Sequence, residues 1–165
     1  MSATVRAATL NDAERIYALV RRNADMLVPR SLGNIVESID RLFVAEAEGE
    51  TVGCAGYQIH PEIGDPEAAA VEIVSVAVKP LFRRRGIGRL LVKAVMDRLA
   101  AFCPREIVAL TFTPEFFGAM GFVEIPKTKI MHKLYTGCIN CTKHDNPFTC
   151  PETAMVYKGK MEEGK

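Results

Sequence analysis

The stretch from Val71 to Gly88 constrains the fold more than any other part of the chain. Val71-Glu72-Ile73-Val74-Ser75-Val76-Ala77-Val78 is apolar at nearly every position, the pattern of a strand buried on both faces rather than of one with a wet side. It runs directly into Lys79-Pro80-Leu81-Phe82-Arg83-Arg84-Arg85, then Gly86, then a segment whose Ile87, Leu90, Leu91, Ala94, Val95 and Leu99 share one helical face. A strand covered on both sides and followed by a helix requires an α/β architecture, a central sheet flanked by helices.

The remaining patterns fill in that architecture. Thr4 to Ala7 reads as a first strand, Thr9 as a helix cap, and Ala13, Ile16, Tyr17 and Val20 as the inner face of a first helix. After a loop containing Met26-Leu27-Val28-Pro29-Arg30, Ser31 caps a second helix with Leu32, Ile35, Val36, Ile39 and Phe43 as its apolar face. Leu42 to Ala47 and Thr51 to Ile59 read as a hairpin around Glu48-Gly49-Glu50, and the polar stretch His60 to Glu67 reads as a loop. Beyond the long helix, which Pro104 ends, come a strand from Ile107 to Thr111, a short helix opening on Thr113-Pro114-Glu115, and a strand from Phe122 to Ile125. An irregular, cysteine-bearing segment spans 127–153, and Ala154 to Tyr157 reads as a closing strand. With 165 residues the chain is expected to form one domain, 1–165.

Net charge is only +1, which excludes a globally basic nucleic-acid binder, so any electrostatic function is local. Between Lys79 and Lys93 lie six basic residues (Lys79, Arg83, Arg84, Arg85, Arg89, Lys93) and no acid. Such a run repels itself unless an anion sits there, and the first turn of a helix offers free backbone N–H groups to one. Glycines at 86 and 88 let a phosphate approach without a Cβ in the way. The dinucleotide fingerprint fails because Leu91 stands at its third small position, and the chain has no Gly-Lys-Ser/Thr of a P-loop.

Arg83-Arg84-Arg85-Gly86-Ile87-Gly88 matches the Arg/Gln-x-x-Gly-x-Gly/Ala loop of the GNAT acetyltransferases, and the order of elements resembles that superfamily along nearly the whole chain. The resemblance implies a GNAT fold with a central mixed sheet, and acetyl-CoA as co-substrate. It implies that the backbone of Val76, Ala77 and Val78 binds the pantetheine arm, and that Arg84, Arg85, Gly86, Ile87, Gly88 and Arg89 cradle the pyrophosphate. Within the superfamily the chain is most similar to short, stand-alone amino-acid N-acetyltransferases related to N-acetylglutamate synthase of arginine biosynthesis. The segments that carry this are Leu27-Val28-Pro29-Arg30-Ser31-Leu32, Val52-Gly53-Cys54-Ala55, Leu110-Thr111-Phe112-Thr113-Pro114-Glu115-Phe116-Phe117 and the tail Cys150-Pro151-Glu152-Thr153-Ala154-Met155-Val156.

The implied reaction needs a base, because an α-ammonium must lose a proton before it attacks a thioester. Glu72 is the candidate, a carboxylate in an apolar strand where its pKa would rise toward neutrality; the alternative is a structural pair with an arginine. A backbone N–H from Val76 to Val78 would polarise the thioester carbonyl. Many relatives place a Tyr four residues before the Gly-Phe pair as general acid, whereas here Phe117 precedes Gly121-Phe122, leaving water or Tyr135 for that task. A substrate carboxylate is best held by a guanidinium, and Arg30, in the loop between the first two helices, is the choice over an ordinary surface arginine. Glutamate is the first expectation as acceptor. The larger synthases carry another arginine where this chain has Thr113-Pro114-Glu115, so glutamine or another small amine stays open, with Lys127, Lys129 and Lys133 as replacement charges. Acetylation of a protein N-terminus, a non-catalytic acyl-CoA-binding regulator and a metal-binding interaction module are the rival readings.

Five cysteines complete the account. Cys138, Cys141 and Cys150, with His144, have zinc-ligand types at irregular spacing, which leaves a metal undecided, while Cys54 and Cys103 are expected to be buried small apolar groups. The first residues lack a signal-peptide core and no apolar run approaches the roughly 18 residues of a membrane span, so a cytoplasmic setting is expected without membrane or nucleic-acid partners. A homodimer is compatible with the sequence.

Overall fold

In the computed structural model, residues 2–62, 64–130, 144, 146 and 148–160 are described. They form one seven-stranded mixed sheet in the order β1-β2-β3-β4-β5-β7-β6. The strands are β1 (Thr4–Ala7), β2 (Leu42–Ala47), β3 (Glu50–Glu62), β4 (Asp65–Val78), β5 (Glu106–Thr111), β6 (Phe122–Glu124) and β7 (Thr153–Tyr157). Only β4 and β5 run parallel, joined by a crossover through the long helix, and β7 inserts between β5 and β6.

The helices α1 (Ala13–Arg22) and α2 (Leu32–Glu37) cover one face, and α3 (Ile87–Ala100) covers the other. Ile16, Leu19 and Val20 of α1 pack with Ile35 of α2 on Leu42, Val44, Cys54 and Ala77. Leu91, Val92, Val95 and Leu99 of α3 pack on Val52, Ala55, Tyr57, Val71 and Ile73. A short helix, α4 (Pro114–Gly118), brings Phe117 into this second layer, in edge contact with Phe116 at 5.1 Å and Phe122 at 5.2 Å.

Three sequence expectations are corrected. The helix capped by Ser31 stops at Glu37, because the Ser38 hydroxyl turns back to the Asn34 carbonyl and Phe43 belongs to β2. The stretch His60 to Glu67 is no loop: β3 and β4 continue through it as a ribbon paired out to Glu62 and Asp65. Leu90 is exposed, and Val92 takes its place in the core.

β4 carries the feature that shapes the site. Cys54 pairs with Ala77 and Gly56 with Val74, so β4 uses one more residue than β3 across this interval, and Ser75 sits there at φ +57°. Because of that extra residue, Glu72 and Ala77, an odd number of positions apart, both face α1 and α2.

Candidate active site

The register between β4 and β5 ends at Glu72 opposite Val108. From Ile73 onward β4 keeps β3 on one side, while among the described residues no strand pairs with its other edge. The ladder to β5 stops before the bulge, so the edge of Val76, Ala77 and Val78 that faces away from β3 has no strand partner among the described residues. A bulge here is what a carrier arm needs, since it exposes peptide groups that an unbroken sheet would have used up.

At the far end of that edge lies the glycine loop. Gly86, at φ +79°, caps α3 with open space where a Cβ would stand, so its requirement is conformational. Gly88 has a different reason: a Cβ there would press to 3.3 Å from the Phe116 ring. Among the described residues none of the amides from Arg84 to Arg89 has a hydrogen-bond partner; the first N–H used by the helix is that of Leu90, donated to Gly86. Six consecutive free donors at the positive end of a helix make a built anion site.

The charge of this region is less unbalanced than its sequence implies. Lys79 pairs with Glu50, Arg85 lies 3.8 Å from Glu48 and over the Phe82 ring, and Lys93 pairs with Asp97 at 2.7 Å. The acids come from the β2–β3 turn and the next turn of α3, outside the run itself. Arg83 reaches Asn23 at 2.7 Å and Arg89 donates to the Ala119 carbonyl at 3.4 Å, although both are exposed; Arg84, with φ +63°, is exposed and has no side-chain partner among the described residues.

On the α1–α2 face Glu72 is buried beside a second buried titratable group, His60, whose Nε2 lies 2.9 Å from Glu72 Oε2. With Glu72 ionised, Nε2 must carry the proton it donates to the carboxylate. The partner is thus a histidine from β3, not the arginine considered from sequence, and it was hidden because 60–67 reads as loop. Its parity was the available signal: Gln58 lies opposite Glu72, and His60 shares that face.

Arg30 is half-buried and held by four neutral oxygens: Nε donates to Asn34 Oδ1 at 2.7 Å, Nη1 to Ser75 Oγ at 3.1 Å, and Nη2 to Ser38 Oγ at 2.5 Å and to the Asn34 carbonyl at 3.5 Å. Among the described residues it has no carboxylate partner. Burial lowers its pKa, yet a guanidinium stays charged, so among the described residues a cation fixed beside the β4 bulge has no carboxylate counter-charge. A pocket of about 310 Å³, lined by Tyr17, Val20, Arg21, Ala24, Pro29 and Arg30, opens next to it, the size of a small-molecule site.

Other expectations fall away from this constellation. Phe117 is packed among aromatic rings. Cys54 is buried and its thiol pKa is pushed up to about 12 by that burial, so it is inert, whereas Cys103 is exposed at a helix end, against expectation. Lys127 donates to the Cys150 carbonyl. Lys133, Tyr135, Cys138 and Cys141 lie outside the described residues; among those described, no three His, Cys, Asp or Glu gather as a metal site. Among the described residues no helix is long and apolar enough to cross a membrane.

A parted β4–β5 pair leading to free amides at the start of α3 defines an acyl-CoA transferase fold, and comparison with known proteins agrees. Residues 9–124 match the acetyltransferase (GNAT) family, and the chain belongs to it. Acetyl-CoA is its co-substrate, and the orphaned amides and the open edge of β4 fit that molecule. An N-acetyltransferase of Chlorobaculum tepidum, described as uncharacterized, is 36% identical over 92% of this chain and 94% of its own length. An amino-acid acetyltransferase of Mycobacterium tuberculosis is 29% identical over 79% of this chain and 74% of its own. Among solved structures, the N-acetylglutamate synthase of Neisseria gonorrhoeae, complexed with coenzyme A and N-acetyl-glutamate, superposes with a TM-score of 0.75 at 23% identity, covering 95% of this chain and 35% of the longer one.

Proposed function

We propose that this N-acetyltransferase acts as a single domain on the α-amino group of a free small amino acid, with glutamate the first choice, as in the opening step of arginine biosynthesis. The observation that carries the reading is Arg30: a fixed guanidinium with no carboxylate partner among the described residues, on the same face of β4 as Glu72. The names of the Mycobacterium and Neisseria relatives support the same substrate class. A cytoplasmic setting, where acetyl-CoA and free amino acids coexist, suits it.

In this mechanism the amides of Arg84, Arg85, Gly86, Ile87, Gly88 and Arg89 take the pyrophosphate, and the open edge of Val76, Ala77 and Val78 aligns the pantetheine arm. Arg30 takes the substrate carboxylate through donors that reorient from Ser75 and Asn34. Glu72 accepts the ammonium proton, directly or through water, while His60 keeps the carboxylate oriented. The amine nitrogen then attacks the thioester carbon, a strand N–H stabilises the developing oxyanion, the attacking nitrogen gives its second proton to water, and the C–S bond breaks. The leaving thiolate is a far weaker base than an alkoxide or an amide anion and takes its proton from solvent, so Phe117 is no handicap. The test is release of coenzyme A thiol from acetyl-CoA on adding each amino acid. Activity should be confined to free amino acids; transfer only to peptide N-termini would replace this reading.

A further inference from the structure

The loop that follows α1 begins at a residue held by the cofactor loop. Asn23 is buried at the end of α1, and its Nδ2 donates to the Leu19 carbonyl at 2.8 Å. Its carbonyl accepts the N–H groups of Met26 at 2.9 Å and Leu27 at 3.0 Å, so Asn23 shapes the start of the segment that ends at Arg30. Its Oδ1 accepts from Arg83 Nη2 at 2.7 Å, while Arg83 Nε donates to the Val78 carbonyl at 3.2 Å. The same loop is tied at its far end by Arg30 to Ser75 of the β4 bulge. Both ends are therefore fastened to the elements that border the acetyl-CoA cleft, across 60 and 45 residues of sequence.

The first arginine of the Arg-x-x-Gly-x-Gly loop thus faces away from the free amides that follow it, and its hydrogen bonds go to the end of β4 and the end of α1. A ligand seated on Arg84 to Arg89 fixes the backbone next to Arg83, and through Arg83 the position of Asn23. We infer that Arg83 is a positioning residue that couples the cofactor loop to the acceptor loop, so that coenzyme A binding stiffens residues 24–30. The inference rests on the proposed function in naming 84–89 as the cofactor loop and 24–30 as the acceptor loop. Its first test needs coenzyme A alone, so failure of the substrate assignment and failure of the coupling are separate results.

Hydrogen exchange is measured with and without coenzyme A for the wild type, Arg83→Gln, Asn23→Ala and Asn23→Asp. In the wild type, coenzyme A slows exchange about fivefold or more in peptides covering both 84–90 and 24–30. Arg83→Gln and Asn23→Ala keep the protection at 84–90, which also reports that they are folded, and lose it at 24–30. Asn23→Asp, which still offers Arg83 an acceptor, keeps both. Should either disruptive variant fail to fold, the other carries the test. Protection at 24–30 that survives both, or that is missing in the wild type, overturns the coupling. A coenzyme A affinity in Arg83→Gln weaker by about tenfold or more makes Arg83 a phosphate ligand instead, and also overturns it. With an acceptor amino acid, Arg83→Gln raises its KM about tenfold while kcat at saturation moves less than about threefold; equal loss in both parameters contradicts a positioning role.

Discussion

Arg30 and Ser75 meet across 45 residues of sequence through a 3.1 Å hydrogen bond from guanidinium Nη1 to the serine hydroxyl. Ser75 is also the residue at φ +57° where β4 gains its extra position, and its carbonyl accepts the buried Cys54 thiol at 3.4 Å. One residue therefore sits at the open edge of β4 proposed to receive acetyl-CoA and anchors the cation proposed to receive the acceptor. In the proposed mechanism this contact sets the spacing of the thioester and carboxylate sites.

Replacing that cation isolates its role. Arg30→Gln removes a charge-assisted contact to the substrate, of about 1.5–3 kcal/mol, so kcat/KM for the amino acid falls about 10- to 100-fold. Coenzyme A affinity, measured by titration calorimetry, stays within about twofold. Arg30→Lys keeps the charge but loses the fork that Asn34, Ser38 and Ser75 hold, and it recovers only part of the loss.

The Glu72 and His60 pair separates proton acceptance from orientation. Glu72→Gln lowers kcat about tenfold or more and leaves coenzyme A binding unchanged. His60→Ala removes one donor from a buried carboxylate and lowers kcat by a smaller factor, while His60→Gln, which can still donate, recovers part of it. Steady-state rates at saturating acetyl-CoA check the order wild type, His60→Gln, His60→Ala, Glu72→Gln.

Acid stability depends on a different carboxylate. Asp12 is buried at the start of α1, where hydrogen bonds from Arg6 first, opposed by burial and aided by Thr9, hold its pKa down to about 2 from 3.8. The unfolded chain binds the proton more readily, so this contribution is present above pH 3.8 and is lost as pH falls through 2. Asp12→Asn therefore destabilises the protein by about 2 kcal/mol at pH 7, a gap that closes between about pH 4 and pH 2 in urea unfolding curves.

The two glycines of the phosphate loop should fail differently. Gly86→Ala forces a side chain to φ +79°, at a cost of about 1–2 kcal/mol, and distorts the free amides, so coenzyme A binds about tenfold more weakly. Gly88→Ala meets the Phe116 ring at 3.3 Å, so its effect falls on the packing of α3 against α4. Thermal melts and coenzyme A titrations of the two variants distinguish a binding defect from a packing one.

Much of this was legible from local patterns: the strand ranges around Thr4, Leu42, Ile107 and Ala154, the inner faces of α1 and α3, and the glycine loop at the start of α3. What local patterns missed depended on partners far away in sequence. His60 sits in a stretch whose Pro61, Gly64 and Pro66 mark a turn, and only pairing with β4 makes it a buried strand residue. Arg83 and Arg84 are identical, exposed neighbours, yet Arg83 is the one of the two that reaches Asn23 at the end of α1. The bulge at Ser75 has no glycine to announce it, and the acids that quiet the basic run come from Glu48, Glu50 and Asp97.

The central claim is acetyl transfer to a free amino acid whose carboxylate Arg30 holds. The most direct measurement is coenzyme A thiol release from acetyl-CoA with each of the twenty amino acids, with the acetylated product weighed by mass spectrometry. Turnover is expected with a narrow set led by glutamate, lost in Glu72→Gln and weakened in KM by Arg30→Gln; glutamine ahead of glutamate would revise the side-chain preference alone. Release with none of the twenty, while coenzyme A binds normally, would contradict acetyl transfer to a free amino acid.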